Sequence, residues 1–71
     1  MNNIKYFRKE LGLTITELSE RSKLAVGYLS DIENNKGKNP TKDVMERISA
    51  ALERNVVDVF YSDIEVGQVS D

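Results

Sequence analysis

Between Thr14 and Glu33 the sequence leaves room for two short helices and almost nothing between them, and this limits the fold more than any other feature. Thr14 is followed three residues later by Glu17, with apolar Leu18 next. That is the pattern of a capping box: the Thr hydroxyl accepts from the N–H of the third helical residue, and the Glu carboxylate reaches back to the Thr N–H. The helix it opens, Ile15 to Ser22, is about two turns long and too short to be stable alone. A second segment, Val26 to Glu33, carries Leu29 and Ile32 on one face. With only Lys23, Leu24 and Ala25 between them, the two segments must pack against each other and against further elements.

Those further elements are legible on both sides. Ile4, Phe7 and Leu11 form one helical stripe, which predicts a first helix from Asn2 or Asn3 to Leu11, closed by a left-handed Gly12. The run Asn34-Asn35-Lys36-Gly37-Lys38-Asn39-Pro40 is a loop by its turn residues. Thr41 caps a fourth helix ending near Leu52 or Glu53, with Val44, Ile48 and Leu52 facing inward. Asn55, three residues before Asp58, caps a short fifth helix over Val56, Val59 and Phe60. Ser62 to Asp71 alternate weakly and contain Gly67. A strand in a partner interface and a frayed tail both fit them, the tail being favoured because termini are usually loose. The expected fold is all-α, a compact five-helix bundle, with residues 1–61 as the domain and 62–71 as a short C-terminal tail. Leu11, Leu13, Leu18, Leu24, Leu29, Ile32, Ile48, Leu52 and Phe60 are its predicted core.

Seventy-one residues make one small domain with a thin stability margin, for which oligomerisation would help. The chain has no Cys and no His, so disulfides, thiolate metal sites and the usual zinc ligands are excluded, and no cofactor is expected. Apolar runs are too short for a membrane span or secretory signal, which predicts a soluble cytoplasmic protein. The net charge of −2 hides a polarity. Residues 1–42 hold eight Lys and Arg against five acids, while residues 43–71 hold two against seven. A polyanion feels the local patch, because salt screens fields beyond roughly 8 Å. A one-faced nucleic-acid binder and a solvated mixed-charge surface both explain that pattern.

Two helices joined by three residues also read as a helix-turn-helix, whose DNA-binding form lays the second helix in the major groove and crosses the backbone with the first. Gly12-Leu13-Thr14, Glu17-Leu18-Ser19 and Leu29-Ser30-Asp31-Ile32-Glu33-Asn34 resemble the Cro/CI-type (XRE) helix-turn-helix family of phage and bacterial repressors. Within it, Tyr28-Leu29-Ser30-x-Ile32-Glu33-x-Asn35 followed by Asn39-Pro40-Thr41 is similar to SinR-like repressors. The resemblance spans residues 4 to 60 and implies a lambda-repressor-like DNA-binding domain.

The second helix can reach bases only from its start and from the face opposite Leu29 and Ile32, which leaves Ala25, Val26, Gly27, Ser30 and Asp31. The resemblance implies base contacts from Val26, Gly27, Ser30 and Asp31, where the family often has Gln, Arg or Lys. Val26 offers apolar contact, Ser30 pairs with almost any base edge, and Asp31 accepts from a cytosine amino group. Gly27 offers close backbone approach, though simple tolerance in a frayed first turn explains it too. With few bidentate readers, either DNA shape carries part of the specificity or affinity is modest. The resemblance places phosphate contacts at Asn34, Lys36, Lys38, Thr41 and Lys42. Tyr28 turns toward the phosphate backbone, and the helix starts at Thr14, Ile15, Thr16 and Thr41 add backbone donors. Lys5 and Lys9 are more readily solvated surface. Arg8 and Glu33 match a family ion pair that locks the reading helix to the bundle.

Four positions depart from the family pattern. Lys23 replaces the turn Gly, Ala25 replaces a Ser or Thr cap, Ser19 fills a slot usually held by Ala, and Arg54 stands at an apolar position. Two functional readings follow. One is a sequence-specific regulator of double-stranded DNA, a repressor binding a palindromic operator as a homodimer, with an antagonist protein as a further partner. The other is a protein-interaction module on the same fold, antitoxin-like or antirepressor, that lost its base readers. Neither reading calls for an enzyme, a membrane partner or a small-molecule ligand.

Overall fold

The structure, a computed structural model, describes residues 2–36 and 39–62. Five helices follow in order: α1 (Ile4–Glu10), α2 (Ile15–Ser22), α3 (Val26–Glu33), α4 (Lys42–Ala51) and α5 (Val56–Phe60). The capping box forms in full at α2, with Glu17 N–H donating to Thr14 Oγ1 at 3.0 Å and Thr14 N–H to Glu17 Oε1 at 2.9 Å. Thr41 caps α4 through Val44 N–H, and Asn55 caps α5 through Asp58 N–H. α1 is shorter than its pattern predicts. Asn2 and Asn3 stay outside it and Leu11 is its C-terminal cap, because both asparagine side chains bond to other helices.

α1 to α4 end alike, with one residue in the left-handed region and the following N–H returning to a carbonyl five residues back. Those residues are Gly12, Lys23, Asn35 and Glu53, with φ of 69°, 60°, 54° and 61°. The returning bonds run from Leu13 to Arg8, Leu24 to Ser19, Lys36 to Asp31 and Arg54 to Ser49. This closure satisfies carbonyls that a helix end would otherwise leave open.

α2 packs on α3 and α4, α4 on α5, and α5 on α1. The shared core is Ile4, Phe7, Leu13, Leu18, Leu29, Ile32, Ile48, Ala51, Leu52 and Val59. Three expected core residues differ. Leu11 is 40% exposed, because the chain reverses at Gly12 and Leu13 takes the inward position. Leu24 and Phe60 are half-buried against the rim of the core. Ile4, Phe7, Ala51 and Val59 complete it. Ser62, assigned to the tail, is tied into the domain by its carbonyl and hydroxyl; the rest of the predicted tail lies outside the described residues.

Candidate nucleic-acid interface

α3 is held from behind by an ion pair. Arg8 Nε and Nη2 meet Glu33 Oε1 and Oε2 at 3.2 and 2.9 Å, while Nη1 donates to the Leu13 carbonyl at 2.9 Å. The pair is sheltered, with side chains 13% and 5% exposed. A planar fork with each edge occupied fixes both angle and distance, so α3 is locked to α1 at its C-terminal end. Asn34 closes the same end by donating from Nδ2 to the Ser30 carbonyl at 2.9 Å.

At its other end α3 is free. Ala25 has no side-chain acceptor, so the first amides of α3 carry no cap. Val26 and Gly27 are exposed, and a Cβ on Gly27 would meet nothing within 4 Å. Ser30 and Asp31 are half-buried on the same side, and Tyr28 packs its half-buried ring against the core. The turn before α3 is braced by Ser19 Oγ, which donates to the Leu24 carbonyl. A Ser at this position therefore adds a bond that Ala lacks.

The helix starts proposed for phosphate contact are well formed. In α2 and α4 the capping side chains take the third helical N–H, leaving the amides of Ile15 and Thr16, and of Lys42 and Asp43, without intrahelical acceptors. Lys36 and Lys42 are exposed beside α3 and α4. Two acids oppose an anion there: Glu17 is engaged by Thr14, and Asp43 pairs with Arg47 at 3.1 Å. Lys38 lies outside the described residues.

Sequence reasoning missed the roles of Asn2 and Asn3. Asn3 is 4% exposed and donates to the carbonyls of Asp58 and Ser62; Asn2 donates to the Ile32 carbonyl. In the sequence, one or the other reads only as the first residue of the first helix. Arg54, the departure at the corner between α4 and α5, places its guanidinium 4.7 Å from the Phe7 ring centroid and covers an apolar face with a cation.

A capped helix meeting an uncapped one at a left-handed turn, the second exposing one face and anchored at its far end, defines a helix-turn-helix protein. The helix-turn-helix family pattern matches residues 4–59, and the chain belongs to that family. It is 43% identical over 53 residues to the HTH-type transcriptional regulator SinR of Bacillus subtilis (strain 168), covering 75% of this chain and 48% of that protein. The chain thus spans about half the length of SinR. A crystal structure of SinR, the master regulator for biofilm formation, in complex with DNA superposes with a TM-score of 0.72 at 42% identity, covering 76% of this chain and 86% of that one. The SinR–SinI protein complex gives a TM-score of 0.73 at 42% identity, covering 78% and 53%. The similarity to SinR-like repressors seen in Tyr28 to Thr41 extends across the fold.

Proposed function

We propose that this chain is the DNA-binding part of a transcriptional regulator and acts as a repressor on double-stranded DNA in the cytoplasm. The observation that carries the reading is the exposed face of α3, fixed at its far end by Arg8 and Glu33 and flanked by the open amides of α2 and α4. In this reading α3 enters the major groove, with Val26, Gly27, Ser30 and Asp31 toward the bases. Thr14, Ile15, Thr16, Tyr28, Asn34, Lys36, Lys38, Thr41 and Lys42 face the phosphates. Similarity to a relative solved on DNA supports it.

A homodimer on a palindromic operator follows from size, since one small reading head covers about half a site. Val57 and Tyr61, 59% and 67% exposed on and beside α5, support a contact there with a second copy or an antagonist protein. The same two side chains favour the second reading, a protein-interaction module, because they are large, exposed and on or beside α5, outside the proposed base-reading face of α3.

Salt-dependent binding separates the readings. Lys36→Ala, Lys38→Ala and Lys42→Ala should each weaken binding to all DNA alike and lower the salt slope by about 1. Ser30→Ala and Asp31→Ala should change which sequences are preferred, by about 1–3 kcal/mol per lost base contact, with the slope kept. Unchanged affinity and slope in all three Lys variants would leave the protein-interaction reading in place.

A further inference from the structure

Two adjacent asparagines reach in opposite directions across the bundle. Asn3 holds α5: its Nδ2 donates to the carbonyls of Asp58 at 2.9 Å and Ser62 at 2.7 Å, and its backbone N–H donates to the Val59 carbonyl at 2.7 Å. Asn2 holds α3: its Nδ2 donates to the Ile32 carbonyl at 2.9 Å and lies 3.4 Å from Asn35 Oδ1. Its Oδ1 accepts from Ile4 N–H at 3.1 Å, which starts α1. The Ile32 carbonyl also accepts from Asn35, the left-handed residue that turns the chain from α3 into the Lys36 loop. Between the two helix ends lies a cleft of about 320 Å³, lined by Ile32, Asn35, Pro40, Met45, Phe60 and Tyr61 together with Asn2 and Asn39. The cleft opens beside the core that Ile32 and Val59 share.

The Asn2–Asn3 peptide unit is planar and its own N–H is bonded to the Val59 carbonyl of α5, so a shift of the last turn of α5 displaces that unit and, with it, the base of the Asn2 side chain that bonds Ile32. We propose that the Asn2–Asn3 step is a positioning link, through which contacts made on α5 are felt at the C-terminal end of the reading helix. The inference rests on the DNA-binding reading for its consequence: a partner covering Val57 and Tyr61 would change how firmly Asn34 and Lys36 are presented to a phosphate. Any such coupling is reciprocal, so loosening the α3 end must also loosen α5.

The test uses amide hydrogen exchange of the whole chain, which needs no DNA and so stands or falls separately from the DNA-binding reading. Asn2→Ala removes the donor to Ile32 and the acceptor for Ile4. Asn2→Asp keeps the acceptor for Ile4 and puts a charged oxygen where the donor faced the Ile32 carbonyl and Asn35 Oδ1, separating the link from simple capping of α1. Both variants should speed exchange at Asn35 and Lys36 about 3- to 10-fold, as expected for one lost hydrogen bond. Both should also speed Tyr61, whose N–H bonds to the Val57 carbonyl and to neither asparagine, by at least about 2-fold, with Leu18 unchanged. Faster exchange at Asn35 with Tyr61 unaltered would overturn the link. So would an Asn2→Asp variant that exchanges like the wild type. Asn3→Ala should give the converse, faster exchange at Lys36; if it fails to fold, the two Asn2 variants decide the matter.

Discussion

Removing the Glu33 carboxylate should cost this domain a large part of its stability. In a Glu33→Ala variant the Arg8 guanidinium stays in a site where it is 13% exposed, with the Leu13 carbonyl as its remaining protein acceptor. Breaking a buried pair from one side costs about 3–5 kcal/mol, because the stranded charge has no compensation. A 71-residue chain has about 4–11 kcal/mol in total, taking about 0.05–0.15 kcal/mol per residue. The midpoint of thermal unfolding should fall by about 12–40 °C, at about 4–8 °C per kcal/mol for a domain of this size. The double variant Arg8→Leu/Glu33→Leu removes both charges and should recover most of the loss, falling short by about 1–3 kcal/mol for the Leu13 carbonyl it leaves open. Asp43→Ala removes an exposed pair, with side chains 50% and 71% exposed, and should cost no more than about 0.5 kcal/mol. Urea unfolding followed by circular dichroism gives all three numbers. A Glu33→Ala loss no larger than that of Asp43→Ala would show that the fork does not hold the reading helix.

Three further changes probe separate features. Lys23→Gly should raise stability by about 0.5–1 kcal/mol in the same assay, relief of the left-handed φ of 60° exceeding the added freedom of the unfolded chain. Ser49→Ala should raise it by about 1 kcal/mol, because Ser49 is 2% exposed and its Oγ has no partner among the described residues; a loss instead would reveal a bond. Gly27→Ala should stabilise the free protein by up to about 1 kcal/mol, since open space surrounds the new methyl. Calorimetry checks that gain, and a DNA titration then separates the two readings of Gly27: unchanged affinity leaves it a tolerated residue, and reduced affinity shows close backbone approach.

Much of this architecture was legible because its signals are local. The bounds of α2 and α3 follow from Thr14, Glu17 and the brief turn, all within one stretch of chain. Left-handed closures at Asn35 and Glu53 were not legible. Neither is Gly, and Glu is an ordinary helix former whose strain is imposed by the packing around it. The burial of Asn3 depends on α5, more than fifty residues away in sequence, so nothing near it in the sequence signalled more than a helix start. Leu11 shows the limit of periodicity: it continues the stripe of Ile4 and Phe7, but the helix stops one residue before it. The outward face of α3, the one proposed to read DNA, was deduced from the positions of Leu29 and Ile32, both buried. Half-burial of Ser30, Asp31 and Tyr28 required the neighbouring helices.

The two ends of α3 are held very differently, and this bears on how such a helix would read DNA. Its C-terminal end carries the Arg8–Glu33 fork, the Asn34 side chain and the Asn2 bond to Ile32. Its N-terminal end begins at Ala25 with no cap and continues through Gly27. An uncapped start costs about 1 kcal/mol relative to Ser or Thr, but it leaves the first amides available as donors. On the proposed function those amides and the Gly27 backbone approach the DNA closely, and Val26, Ser30 and Asp31 supply modest base contacts. Discrimination then depends on how well groove shape accommodates a fixed helix, which is indirect readout. Ala25→Ser tests this division. It should stabilise the free domain by about 0.5–2 kcal/mol while occupying an amide that the DNA would otherwise engage, so stability should rise and affinity fall together. A variant that gains both would show that the start of α3 carries no contact.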